Sequence, residues 1–110
     1  MKTSSAKQKG RRLATQLQAL LLSRYPELST EDIRVTSSGV QGEDLQLSPA
    51  ARALLPYQFE LKNQEKLNIW SALKQGASHG KYKPVVVFKR NHSPTYVCVE
   101  IETFLDLITS

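Results

Sequence analysis

The chain has 110 residues and a mass of 12.4 kDa, with 40% hydrophobic and 23% charged side chains and a formal net charge of +5. That length supports one hydrophobic core, so residues 1–110 are expected to form a single domain, and the ordinary composition excludes a disordered or fibrous chain. No apolar run approaches the roughly 20 residues that span a bilayer and no hydrophobic signal segment follows the basic start, which predicts a cytoplasmic, non-secreted protein with no membrane partner.

Lys2, Lys7, Lys9, Arg11 and Arg12 precede every acid in the sequence, and from Leu13 onward bases and acids balance. The excess charge therefore belongs to an N-terminal arm, 1–12. Such an arm is either a solvated, flexible tail or a phosphate-binding segment, because cations that neutralise backbone phosphates release counterions. Leu13, Leu17, Leu20 and Leu21 recur at helical spacing and predict an amphipathic helix over 7–24, stopped by Pro26. A short strand is expected over 33–36. The loop 37–42 offers Gly39 and Gly42 for positive backbone angles, with Ser37 and Ser38 as turn residues that can also donate to a phosphate.

The runs 43–48 and 57–62 alternate apolar and polar residues, as half-buried strands do. Alternation sets Tyr57, Phe59 and Leu61 on one face and Gln58, Glu60 and Lys62 on the other; it sets Asp44 opposite Leu45 and Leu47. If the two strands are neighbours, Asp44 and Glu60 meet beside Lys62. Two carboxylates and an ammonium at one point suit a hard divalent cation and a phosphate. Between the strands, Ser48-Pro49 opens a helical turn through Leu55, with Arg52 either solvated or in reach of a phosphate.

A second helix is expected over 64–77 with Asn63 as its N-cap, Leu67, Trp70 and Leu73 in the core, and Asn68, Ser71 and Gln75 on another face. Glu65 there either serves the helix dipole or contacts a metal, the dipole being the first reading. His79 and His92 lie in loops without zinc-ligand spacing and read as surface residues, with phosphate contact as the second reading. The apolar run 84–88 suits a strand covered on both faces, followed by a basic turn 89–94 and a last strand 96–101. Cys98, the one cysteine, excludes an internal disulfide and reads as a buried small hydrophobe. A short helix over 103–108, with Phe104, Leu107 and Ile108 inward, closes the chain. The order α-β-β-β-α-β-β-α predicts an α/β (α+β) domain with a mixed central sheet.

Ser37-Ser38-Gly39, Gly42-Glu43-Asp44, Phe59-Glu60-Leu61-Lys62-Asn63 and Glu65-Lys66-Leu67-Asn68-Ile69-Trp70 occur in this order. The set resembles the PD-(D/E)XK nuclease superfamily, and within it the small phage-type Holliday-junction-resolvase-like endonucleases. The resemblance implies a three-layer, restriction-endonuclease-like fold and a metal-dependent DNA endonuclease. Asp44, Glu60 and the backbone carbonyl of Leu61 would hold Mg2+ or Mn2+, and Lys62 would orient the attacking water and stabilise the growing charge. No organic cofactor is implied. The expected DNA contacts are Lys7, Lys9, Arg11, Arg12, Ser38, Asn68, Gln75 and Lys89.

Resolvase-like relatives act on branched DNA as homodimers, so the resemblance also implies a homodimer. Their first helix often carries a further acidic ligand, whereas the stretch from Leu13 to Tyr25 contains no acid, which favours one ion or a second held loosely by Glu43. Two alternatives follow from the same residues: a DNA-binding module that keeps the fold without the chemistry, and a nuclease acting on linear or flap DNA. A small scaffold whose basic tail binds an acidic partner is a third.

Overall fold

Leucine spacing decides where the first helix lies. Leu13 and Ala14 are buried, with Leu17, Leu21 and Leu22 partly buried beside them, so helix α1 (Lys2–Arg24) turns this side to the core. Burying one such leucine stabilises by about 1.5–3 kcal/mol. The computed structural model describes residues 2–36 and 44–110. α1 starts at Lys2 rather than near Lys7, so it takes in the basic arm. Its residues Ala6, Lys7, Gln8 and Lys9 are good helix formers, and once a nucleus is packed each added residue extends the helix at little cost. Leu20 is a second correction: it points outward and is 50% exposed.

Strands β1 (Ile33–Val35) and β2 (Leu45–Leu47) pair antiparallel, with Ile33 opposite Leu47 and Val35 opposite Leu45. Gln18 fastens α1 to this ribbon by donating to the Ile33 carbonyl at 2.7 Å. Ser48 then starts the short helix α2 (Pro49–Leu54): its hydroxyl oxygen accepts from the Ala51 N–H at 3.1 Å, and Pro49 takes the first helical position, where its missing donor costs nothing. The same hydroxyl donates to Asp32 at 2.7 Å. This bond, followed by the one from the Ser29 N–H, holds the Asp32 carboxyl below its ordinary range. Arg52 donates to the Tyr57 carbonyl, and its guanidinium lies 4.4 Å from the centre of the Tyr82 ring, a structural post in place of the expected solvated or phosphate-reaching one.

β3 (Tyr57–Asn63) pairs in parallel with β4 (Lys83–Lys89), and β4 pairs antiparallel with β5 (Tyr96–Cys98). The result is a mixed sheet of order β3-β4-β5 and a separate ribbon β1-β2, rather than one central sheet through all five strands. Where the ribbon meets β3, the Asp44 N–H reaches the Phe59 carbonyl at a long 3.4 Å. α1 covers the face that carries Phe59, Leu61, Val85 and Val87. Helix α3 (Ile69–Ala77) covers the opposite face, with Gln58, Glu60 and Val86 beneath it. Cys98, expected to be buried, is half-buried, since β5 is the edge strand of the sheet among the described residues.

Two helices differ from expectation. α3 starts at Ile69, and its N-cap is Asn68, whose side chain accepts from the Ser71 N–H at 3.1 Å; Asn63 is still in β3. Ala72 and Gly76, one turn apart, form its buried seam, whereas Trp70 is 79% exposed. A seam of small residues lets the helix sit close to the strand and leaves no room for an indole. Helix α4 (Ile101–Thr109) buries Thr103, while Phe104, Leu107 and Ile108, expected inward, are exposed. No helix of the described residues is long and apolar enough to cross a membrane.

Candidate active site

Glu60 stands at the centre of the site. It lies in the middle of β3 with 1% of its surface exposed. A buried carboxylate needs charged or hydrogen-bonding partners to offset its lost hydration. Lys62, two residues along and on the same face, places Nζ 3.3 Å from Glu60 Oε2. His79 places Nε2 2.9 Å from Glu60 Oε1. This contact suits a histidine Nε2–H donor, because a carboxylate in its ionised form can only accept. Each Glu60 oxygen keeps a further lone pair for another ligand.

His79 arrives from the turn after α3, and two features bring it there. The Cβ that an alanine would add at Gly76 meets the Cβ of Glu60 at 3.3 Å and that of Pro84 at 3.4 Å, so glycine allows α3 to rest directly on β3. Gln58, buried one strand position before the core residue Phe59, ties the helix end down. Its Nε2 donates to the Gly76 carbonyl at 2.7 Å, and its Oε1 accepts from the Tyr82 N–H at 3.1 Å. Expected as a surface residue, His79 is half-buried instead. The signal for it was the small pair Ala72 and Gly76 at helical spacing, which marks a close helix–sheet contact just before the histidine.

Asp44 enters from the end of the ribbon. Its Oδ2 accepts from the Leu61 N–H at 2.6 Å, and its carbonyl accepts from the Thr36 N–H at 3.3 Å and the Thr36 hydroxyl at 3.0 Å. Burial pushes the Asp44 carboxyl above the ordinary carboxylate range. The Leu61 N–H opposes that shift, the charge on Glu60 adds to it, and Lys62 and His79 partly relieve it. Lys62 completes the set by donating to Gln75 Oε1 on α3 at 2.9 Å. β3, α3 and the ribbon thus bring Asp44, Glu60, Lys62, Gln75 and His79 to one place.

Among the described residues, no three His, Cys, Asp or Glu side chains form a group that could hold a metal ion. A hard cation such as Mg2+ is commonly bound by one or two carboxylates together with waters and substrate oxygens. The chemistry of Asp44 and Glu60 fits that pattern, and the repulsion between them is the imbalance a divalent cation relieves. The N–H and C=O of one strand residue leave on the same side, so the Leu61 carbonyl also faces the edge where its N–H meets Asp44.

The remaining expected contacts are scattered. Lys9, Arg12 and Lys89 converge on a cleft on the α1 face, and Lys7 and Arg11 lie exposed on the other side of α1. Asn68 is occupied as an N-cap, and Gln75 positions Lys62. Ser38 and Glu43 lie outside the described residues. Glu65 precedes α3 rather than lying in its first turn, so it does not serve the helix dipole; it accepts from the Asn91 N–H at 2.6 Å and pins the turn after β4. Comparison with protein-family models, with curated proteins and with solved structures returns no match.

Proposed function

We propose that the protein is a metal-dependent DNA endonuclease that hydrolyses phosphodiester bonds, with branched DNA as its substrate and a restriction-endonuclease-like fold. The observation that carries this reading is the cluster of Asp44, Glu60 and Lys62, in which a half-buried aspartate bonded to the Leu61 N–H stands near a buried glutamate paired with the lysine. Asp44, Glu60 and the Leu61 carbonyl would hold Mg2+ or Mn2+, which supplies charge to polarise the scissile phosphate and to acidify a water molecule. Lys62 stabilises the negative charge that grows on the phosphate. Gln75 and Glu60 fix its ammonium in direction, which a broad planar guanidinium would not reproduce. His79 contacts Glu60 at the other oxygen and helps to orient it.

The reading includes a homodimer, which would present two sites to opposed strands of a junction. Its support is the edge of β5, unpaired among the described residues, where Val97 is 62% exposed, together with the outward apolar side chains of α4. The competing module that binds DNA without cutting it draws on the first helix, which brings no acid to the site. Incubating the protein with a labelled four-way junction and a matching linear duplex, in Mg2+, Mn2+ or EDTA, separates these readings. Metal-dependent paired nicks in the junction are expected. Equal cutting of both DNAs would leave a nuclease without junction preference, and binding without cutting under every metal would leave the non-catalytic module.

A further inference from the structure

A cleft of about 240 Å³ opens on the α1 side of the sheet, at the end of β3. Lys9, Arg12 and Lys89 line it together with Asn63, Asn91 and His92, and among the described residues no Asp or Glu does. Three like charges gathered without an acid repel one another, and an arriving anion removes that cost. From this cleft we infer a second phosphate-binding subsite that grips a backbone phosphodiester of the nucleic acid and sets its register against the site at Lys62. The inference rests on the nuclease reading for the identity of the polymer, and on the cleft alone for the phosphate.

The cleft is built rather than accidental. Asn63 follows Lys62 in β3, so consecutive residues of one strand face the two sites, Lys62 towards α3 and Asn63 towards α1. The Asn63 amide donates to the Lys9 carbonyl at 3.2 Å, which fixes the basic turn of α1 to the strand end. Across the cleft, the turn 90–93 is held from several sides. The Arg90 N–H donates to the Ser93 hydroxyl at 3.0 Å, the Ser93 N–H to the Arg90 carbonyl at 3.2 Å, and the Asn91 N–H to Glu65 at 2.6 Å. Within that turn His92 adopts φ 63°, a left-handed conformation that is strained for a non-glycine residue. Strain of this kind collects at binding sites, where the side chain is needed and the surroundings enforce the backbone. A larger cleft on the other side of the turn includes Glu65 and apolar residues and lacks the single sign of charge.

Two measurements test the subsite. In the first, inorganic phosphate is titrated into the labelled protein while the side-chain amides of Asn63 and Asn91 are followed by NMR. Saturable shifts are expected in the wild type and not in Arg12→Gln or Lys89→Gln; shifts that persist in both variants would overturn the subsite. In the second, junction DNA binding is measured in EDTA over a range of salt. Each of those two variants is expected to flatten the dependence of log affinity on log salt by about 1, and Lys7→Gln and Arg11→Gln by less. Equal effects at all four positions would reduce the cleft to a diffuse basic surface. His92→Gly is expected to weaken binding while leaving the melting temperature unchanged or higher, because glycine relieves the strain; a lower melting temperature with unchanged binding would remove His92 from the subsite. None of these readings uses cleavage, so a protein that grips phosphate in the cleft but never cuts DNA would retain the subsite and lose the nuclease.

Discussion

Burial and the charge of Glu60 both disfavour the ionised form of Asp44, so its protonated form is favoured by the fold. The stability this gives is fully present below the carboxyl's unfolded pKa and is lost as pH rises through the raised folded value. Asn has the same shape, and its carbonyl oxygen can accept from the Leu61 N–H. Asp44→Asn is therefore expected to melt higher than the wild type in EDTA at neutral pH, with the gap closing as pH falls below the carboxylate range. A lower melting temperature at neutral pH would contradict the assigned cause. That Glu60 and Lys62 share a face could be read from the sequence because alternation fixes which residues of one strand point together; that Asp44 lies beside them could not, since it precedes β2 and the ribbon is not part of the β3 sheet. His79 could not, because its position depends on how closely α3 approaches the sheet, and that depends on Gly76. Trp70 shows the same limit from the other side: apolar spacing marks a stripe, but packing distance selects the small residues for the interior.

At the scale of elements, the site depends on one buried amide. Gln58 holds the end of α3 and the loop to β4 through the Gly76 carbonyl and the Tyr82 N–H. Gln58→Leu leaves both backbone groups without that partner in a buried setting, a loss of about 2–4 kcal/mol. Urea unfolding should show this loss, and it should be accompanied by weaker cleavage, since His79 and Gln75 flank the same helix end. A loss below about 0.5 kcal/mol would mean that the helix end is held by packing alone. The strands, their order and the helical turn at Ser48 were legible from alternation and capping residues, which act locally. The separation of β1-β2 from β3-β4-β5 was not, because pairing between distant segments leaves no local mark. Nor was the start of α3, since Asn63 and Asn68 both precede plausible helical runs and only the latter caps one.

Across the whole molecule, charge and apolar surface occupy opposite ends of the chain. The basic residues of α1 lie at one end and no Lys or Arg follows Arg90, while β5 and α4 carry the exposed side chains Tyr96, Val97, Ile101, Phe104, Leu107 and Ile108. The homodimer reading places this apolar surface between two copies, so sedimentation should give a dimer for the wild type and a monomer for Val97→Glu with Phe104→Asp. A monomeric wild type would remove the dimer. The central claim is that Asp44, Glu60 and Lys62 form a hydrolytic site, and the most direct test is the rate of junction cleavage in Mg2+ by the wild type and Asp44→Asn, with DNA affinity measured in parallel in EDTA. Cleavage by the variant is expected to fall by at least about 100-fold while affinity stays within a few-fold. Undiminished cleavage by Asp44→Asn would contradict the claim and place the chemistry elsewhere in the molecule.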